Sequence, residues 1–237
     1  MISNAHLIYF SPTQTTQKIV EQIAAGLSAD KIEHHNLTLS PAGLDLHLTD
    51  GLAVIGIPVY AGRVPEVCLK RLEKLSADRV PAVIVALYGN REFEDALVEL
   101  RDIAVSKGFI VIAAAAFIGE HSYSTVDQPI AANRPDQADL QKAREFGEAI
   151  AQKMQDAKTS GSLDVPGDLP YKERVPLGGI SPETNQATCT LCGTCASVCP
   201  TAVIKVNGEV LTEASRCVMC CACVKHCPVQ ARTLNHP

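Results

Sequence analysis

The sequence contains no tryptophan, and aromatic residues make up only 4% of its 237 positions. Any stacking on an aromatic face therefore rests on tyrosine. An excess of basic charge is also missing: 21 basic against 26 acidic residues give a net charge of −5, which excludes a broad nucleic-acid-binding surface. No long apolar run is present. The longest, Phe109 to Ile118, is far shorter than the roughly 18–20 residues of a membrane helix. The opening MISNAHLIYFS has neither a basic segment nor the long apolar core of a secretory signal. A soluble, cytoplasmic protein without membrane or nucleic-acid partners is expected; nothing in the sequence bears on its oligomeric state. No G-x-G-x-x-G follows an apolar run, so the nicotinamide-dinucleotide fingerprint is absent as well.

Cysteine is scarce and then abundant. Cys68 is the only one in the first 188 residues, and the other nine fall between Cys189 and Cys227. Disulfides are disfavoured in reducing cytosol, so metal ligation is the better reading of such crowding. The spacing is an internal repeat: Cys189, Cys192, Cys195 and Cys199 recur 28 positions later as Cys217, Cys220, Cys223 and Cys227, and each set ends in Cys-Pro. Each half spells C-x2-C-x2-C-x3-C-P. Three closely spaced thiolates wrap three corners of a cubane, and the fourth cysteine of each run ligates the other cluster. Cys189, Cys192, Cys195 and Cys227 are thus expected to hold one [4Fe–4S] cluster, and Cys217, Cys220, Cys223 and Cys199 a second. Zinc favours paired C-x2-C knuckles with four ligands to a site, which this pattern does not give. Cys221 is left over, either a bystander thiol or a substitute for Cys220. Cys68 reads as a small buried residue. The segment resembles bacterial-type two-cluster ferredoxins.

Residues 1–158 alternate apolar runs with amphipathic stretches. Strands are expected at His6–Ser11, Lys31–Leu37, Leu52–Ile57, Val80–Leu87 and Phe109–Phe117. Helices are expected at Thr13–Ser28, Pro65–Leu75, Glu92–Lys107 and Gln137–Ala157. Continuous β-branched runs mark strands buried on both faces, and strand–helix alternation marks parallel βαβ units. A doubly wound α/β sheet of order 2-1-3-4-5 fits, with Thr38–Asp50 the least defined part. Residues 159–185, rich in proline and glycine, read as an extended linker. Residues 186–237 form the small cysteine-rich α+β unit.

The sheet order brings three loops to one crevice. The first, Ser11-Pro12-Thr13-Gln14-Thr15-Thr16, runs into a helix and offers hydroxyls and backbone N–H groups to an anion. It has no lysine, so it is not a Walker loop; taken alone, it is equally an N-cap. The second is Pro58-Val59-Tyr60-Ala61-Gly62-Arg63, and the third Tyr88-Gly89-Asn90-Arg91. Each of these two carries an aromatic, a glycine and an arginine, which suits a flat polar-edged ring. In these three loops the unit resembles a flavodoxin, and the chain as a whole resembles the flavodoxin–ferredoxin fusions of anaerobes. The resemblance implies FMN, with its phosphate in the first loop and its ring between Tyr60 and Tyr88. Arg63 and Arg91 are candidates for steadying negative charge on reduced flavin. Gln14 stands where flavodoxins often carry glycine. The long stretch Gly119–Asp136 is read either as a cover for the flavin or a contact to the cysteine-rich unit, or as a surface excursion; in it, His121 and Tyr123 are the acid–base candidates, with His121 the candidate proton donor.

The expected function is electron transfer between FMN, two [4Fe–4S] clusters and redox protein partners. The alternatives are an FMN-dependent reductase of a small substrate fed by the clusters, and a ferredoxin module on a flavin-free docking domain.

Overall fold

The computed structural model describes residues 2–40, 43–155, 163–176 and 179–235. The end of the last predicted helix, at 156–157, and residues 159–162 and 177–178 of the predicted linker lie outside them.

The first part runs β1 (Asn4–Tyr9), α1 (Thr15–Leu27), β2 (Lys31–Asn36), β3 (Leu46–Leu48), β4 (Leu52–Pro58), α2 (Glu66–Leu72), β5 (Leu75–Ala77), β6 (Pro81–Tyr88), α3 (Ala96–Ser106), β7 (Ile110–Ile118) and α4 (Gln137–Gln155). The main sheet has five strands in the order β2-β1-β4-β6-β7, and every pair in it is parallel. Counting those five strands alone, this is the 2-1-3-4-5 order of a flavodoxin-like fold. The central strands carry apolar side chains to both faces. Leu7, Leu52, Val54, Val83 and Val85 meet Ile19 and Ile23 of α1 on one side. Ile8, Ile55, Ile57 and Ile84 meet Leu72 of α2 and Leu100 of α3 on the other. Cys68 is fully buried in that second layer. The contact of α1 with α4 is closed by glycine: a Cβ on Gly147 would stand 2.1 Å from the Ile23 carbonyl oxygen.

The elements depart from expectation at three places. The helix expected from Pro65 to Leu75 ends at Leu72, because Leu75–Ala77 pairs as β5 with β3 in a short parallel ladder. That ladder also gives structure to part of the ill-defined 38–50 region. The helix expected from Glu92 starts only at Ala96. Asp95, buried just before it, makes no side-chain cap and accepts the backbone N–H groups of Asp168 (2.8 Å) and Lys172 (2.7 Å).

That last contact belongs to the third difference. Residues 163–176 have neither helix nor strand, but they lie against the sheet unit rather than free of it. Leu163, Val165 and Tyr171 pack on the α2/α3 core layer. The Tyr171 hydroxyl donates to Asp102, and the Arg63 guanidinium lies 4.7 Å above the Tyr171 ring. Arg174 donates to the Val64 carbonyl (2.7 Å) and pairs with Glu99. The segment is a docked strap.

The cysteine-rich part consists of β8 (Glu183–Thr184), α5 (Thr194–Ser197), β9 (Ile204–Val206), β10 (Val210–Thr212), α6 (Ala222–Lys225) and β11 (Arg232–Thr233). β9 pairs antiparallel with β10, and β8 with β11. Its apolar core is small: Val203, Ile204 and Val210 with Cys195 and Cys223. The sequence repeat is also a backbone repeat. Leu191 and Met219 both have positive φ (55° and 49°), as do Gly193 and Cys221 (78° and 55°) and Ala202 and Gln230 (52° each). Cys221 thus stands in the left-handed position that glycine fills in the first half. Among the described residues, no helix is long and apolar enough to cross a membrane.

Candidate functional site

The two cysteine sets close around two separate cavities. Cys189, Cys192, Cys195 and Cys227 line one, with Val210 and Pro228. Cys199, Cys217, Cys220 and Cys223 line the other, with Val203, Ile204 and Val218. Each cavity therefore takes its fourth cysteine from the opposite half of the repeat. Cys221 lines the second cavity beside Cys220 and has its Sγ 3.6 Å from the Met219 carbonyl oxygen.

Four observations bear on what these cavities hold. Among the described residues, no three cysteine sulfurs lie within 4.8 Å of one another. A tetrahedral zinc with bonds of about 2.3 Å needs sulfurs about 3.8 Å apart, so the spacing is too wide for a single ion and suits a larger inorganic core. Backbone N–H groups point at sulfur: Leu191 to Cys189 and Met219 to Cys217, in matching places and each at 3.4 Å, and in the second half also Ala231 to Cys227 at 3.2 Å. Burial pushes the thiols of Cys195, Cys217, Cys220 and Cys223 up, so ionising them in place requires a compensating cation, which ligated iron would supply.

The fourth observation is Arg232, which is only 3% exposed and lines both cavities. Its guanidinium donates to Thr184 Oγ1 (2.6 Å), Thr212 Oγ1 (3.1 Å) and Cys223 Sγ (3.4 Å), and no described carboxylate pairs with it. Its Nε has no partner among the described residues. A buried cation without a carboxylate is costly unless negative charge sits beside it. Thiolate-ligated clusters in the two cavities would provide that charge. Sequence reasoning gave Arg232 no such role. The signal was available: 28 positions earlier the repeat has Ile204, so a charge replaces an apolar residue at a matched site.

The loop-lined cleft lies at the carboxyl end of the sheet, between the loops after β1, β4 and β6. Pro12, Thr13, Thr15 and Thr16 form one wall; Pro58 to Gly62 form the second; Tyr88, Gly89 and Arg91 form the third. The loop after β7 adds Glu120, His121 and Tyr123. Val218 and Met219, which lie between Cys217 and Cys220, complete the lining.

In the first loop the backbone makes a tight turn. Gln14 takes the left-handed conformation (φ 64°) at the head of α1 despite its side chain, a strain of roughly 1–2 kcal/mol. The Ser11 hydroxyl faces inward and accepts the Gln17 N–H at 3.0 Å, so it caps the helix and does not line the cleft. Thr13 and Thr15 share a hydroxyl contact at 3.3 Å. Thr16 Oγ1 is buried with no partner among the described residues. An orphan hydroxyl at a helix N-terminus that lines a cleft fits an anionic oxygen.

The second loop is a two-residue hairpin, with Ala61 and Gly62 at positive φ and Tyr60 and Arg63 exchanging backbone hydrogen bonds of 3.1 Å. It directs Tyr60 into the cleft and turns Arg63 away. Arg63 is buried, donates twice to Glu99 at 2.9 Å, and reaches the Lys172 carbonyl. Its expected place at the flavin is therefore corrected: the Glu99 carboxylate on α3 and the strap occupy it. In the third loop Tyr88 packs edge-on against Phe93 at 5.5 Å. Asn90 makes the turn at φ 61° and points out of the cleft, whereas Arg91 lines it and is exposed.

His121 lies over Gly89, where a Cβ would come within 2.3 Å of its ring. Its Nδ1 accepts the Tyr123 N–H at 3.1 Å, which puts the proton of the neutral ring on Nε2. Burial, then Arg91 and Lys225, lower its pKa. Tyr123 meets it edge-on at 4.9 Å, and its hydroxyl is pushed up to about 12, chiefly by burial. The loop after β7 is tied to the cysteine-rich part, since Lys225 bonds Glu120 Oε1 (2.5 Å) and the Ser124 carbonyl (2.8 Å). A second tie is buried Arg71 of α2, which bonds the carbonyls of Leu37 (2.6 Å), Thr38 (2.7 Å) and Pro200.

Residues 181–228 match the family model described as the 4Fe-4S dicluster domain. No curated protein matches the chain. Among solved structures, the chain is similar to a two-electron-reduced flavodoxin from Megasphaera elsdenii, with 20% identity, TM-score 0.41, and coverage of 62% of this chain and 98% of that one. Flavodoxin 2 from Bacillus cereus gives 16% identity, TM-score 0.46 and coverage of 63% and 99%. A flavodoxin from the domain Archaea gives 14%, 0.42, and 64% and 99%. The fold rests on the strand order rather than on these scores. A flavodoxin-like sheet and a 4Fe-4S dicluster segment in one chain point to electron transfer.

Proposed function

We propose that this chain moves electrons between an FMN in the cleft and a redox protein partner, by way of two [4Fe–4S] clusters held by the crossed cysteine sets. In this reading residues 1–158 hold the flavin, 186–237 hold the clusters, and 159–185 join them. The observation that carries it is the position of Val218 and Met219. They belong to the loop between two cluster ligands, and they are also a wall of the cleft. The set Cys217, Cys220, Cys223 and Cys199 is therefore the one beside the flavin. No residue of the other set lines the cleft, and its Cys192 is exposed, so it faces a partner.

Bound FMN would supply a centre that exchanges one or two electrons, and the clusters would exchange one each. The chain's own groups hold and shield. Thr13, Thr15 and Thr16 with the α1 N-terminus hold the phosphate; Tyr60 and Tyr88 flank the ring; Arg91 sits at its edge. His121 Nε2–H is placed to donate a hydrogen bond or a proton into the cleft. Lys225 and Arg71 fix the cluster unit against the cleft, which favours a relay within one molecule over docking of separate carriers.

The test is anaerobic. Purified protein should carry about eight iron atoms, from two four-iron cores, and one FMN. After flash photoreduction of the flavin, cluster bleaching should follow at a rate independent of protein concentration. Eight irons without flavin, or a rate proportional to concentration, would sink the relay. Catalytic loss of a small substrate at the flavin would favour the reductase instead.

A further inference from the structure

An edge strand of the sheet carries a second group of ligand-type side chains, distinct from the cysteine sets. β2 is an edge strand parallel to β1, with His6 opposite Glu33. Strand alternation puts Glu33 and His35 on one face of β2, and His6 shares that face. His6 Nδ1 lies 3.2 Å from His35 Nε2 and 3.5 Å from Glu33 Oε2, and His35 Nε2 lies 3.8 Å from the same Oε2. Among the described residues, this is the only group that brings three ligand atoms within 4.8 Å of one another.

We infer that His6, Glu33 and His35 form a binding site for a zinc-type divalent cation. A tetrahedral zinc with nitrogen and oxygen bonds of about 2.0–2.2 Å sets its ligand atoms about 3.3–3.6 Å apart, and the observed triangle brackets that spacing. Hydrogen bonding alone accounts for it poorly. His6 Nδ1 faces both His35 Nε2 and Glu33 Oε2, and a single N–H serves only one of them.

The surroundings are arranged for ligation. Lys31 pairs with Glu33 Oε1, and Asn4 Nδ2 approaches the same oxygen at 3.3 Å, which leaves Oε2 turned to the imidazoles. Asn4 Nδ2 also lies 3.1 Å from His6 Nε2, while Asn4 Oδ1 is buried and without a partner. Turning that amide over gives up its bond to Glu33 Oε1, which Lys31 still holds, and gives Oδ1 the Nε2–H of His6; this frees the Nδ1 lone pair for a metal and makes Asn4 its outer-shell partner. Burial, then the adjacent His6, lower the His35 pKa and favour its neutral, ligating form. Two imidazoles and one carboxylate suit zinc or another late first-row ion rather than calcium or magnesium. The partial exposure of Glu33 and His35 leaves the fourth position to water. A metal here would fasten the edge strand to its neighbour.

The test uses full-length protein with its clusters intact. It is given about one equivalent of zinc anaerobically, desalted, and examined by elemental analysis and zinc K-edge absorption. The expected result is one zinc per chain, unchanged iron, and nitrogen and oxygen neighbours at about 2.0 Å with imidazole scattering. His35→Gln and Glu33→Gln, both on the open edge strand, should each weaken zinc at least tenfold in competition with a chelator, with iron content and circular dichroism retained. No zinc retained, sulfur neighbours at about 2.3 Å, or wild-type affinity kept by both variants would overturn the assignment.

Discussion

Replacing Arg232 with methionine should lower the reduction potentials of the clusters. The guanidinium is buried, touches Cys223 Sγ at 3.4 Å, and borders both cysteine cavities. A positive charge favours the state that carries the extra electron, so its removal makes reduction harder. A unit charge about 6 Å from the centre of the added charge, at an effective dielectric constant of about 20, is worth roughly 2.8 kcal/mol. With 59 mV for each tenfold change in a one-electron equilibrium, that corresponds to about 120 mV. Partial screening by entering water brings the expected fall to roughly 50–120 mV. The larger shift is expected at the cluster held by Cys223. The assay is an anaerobic potentiometric titration followed by EPR, on preparations of equal iron content. Arg232→Lys keeps the charge and should recover more than half of the shift, although it loses the fork to Thr184 and Thr212. Potentials within about 20 mV of the wild type in the methionine variant would refute the electrostatic reasoning. So would a lysine variant shifted as far as methionine, since the effect would then belong to packing.

Glu99→Gln removes the negative charge from a carboxylate that accepts from Arg63, Arg174 and the Val64 N–H, and should cost about 3–5 kcal/mol in urea unfolding, with faster proteolysis of the strap; a loss below about 1 kcal/mol would refute the buried pairing. Cys221→Gly should keep the full iron count and unfold at the same or a slightly higher temperature, because glycine relieves a left-handed backbone at φ 55°, whereas Cys220→Ala should lose iron. Iron lost from the glycine variant would make Cys221 a ligand. Thr16→Val should leave the flavin-free protein as stable or more so, since it removes an unpartnered buried hydroxyl, yet weaken FMN about tenfold by fluorescence titration. His121 has a lowered folded pKa, so the unfolded chain takes up its proton first as pH falls below about 6.5, and stability is lost there. His121→Gln should flatten the fall in apparent Tm as pH drops below about 6.5, and an unchanged profile would assign that fall to other groups.

The strand order was legible because the physics that sets it is local. Runs such as Leu52–Ile57 and Val80–Leu87 are apolar at every position, which only a strand covered on both faces needs. The cysteine repeat was legible for a similar reason: a short loop that wraps a cube leaves a fixed spacing. What stayed hidden depends on partners distant in sequence. Arg63 lies in the expected loop, but Glu99, 36 positions on, decides where it points. The strap looked like a tether because its anchors, Asp95, Asp102 and Glu99, sit on or just before a helix that gives no sign of receiving it. Gln14 shows the converse: a residue poorly suited to the left-handed turn still makes it, so the turn is imposed by the loop as a whole and not by glycine.

The two halves of the repeat differ where their surroundings differ, and in the proposed relay the differences give the two clusters an order. In the first half, Thr190, Leu191 and Cys192 are exposed. Their counterparts in the second half are Val218, Met219 and Cys220, of which the first two are partly covered against the cleft and the third is buried. Gly193 becomes Cys221 and Ile204 becomes Arg232, so the second half gains a thiol beside its cavity and a buried cation between the two. A freely diffusing two-cluster carrier has no need of such asymmetry, because either face can meet a partner. A unit fixed by Lys225 and Arg71 does need it: one cluster must be dry and close to the flavin loops, and the other must come near the surface. The exposed ridge of Leu191 beside Cys192 is where an external redox protein should bind. Leu191→Glu should therefore slow exchange with that partner while leaving the flavin-to-cluster step unchanged, and an equal slowing of both would place the exit elsewhere.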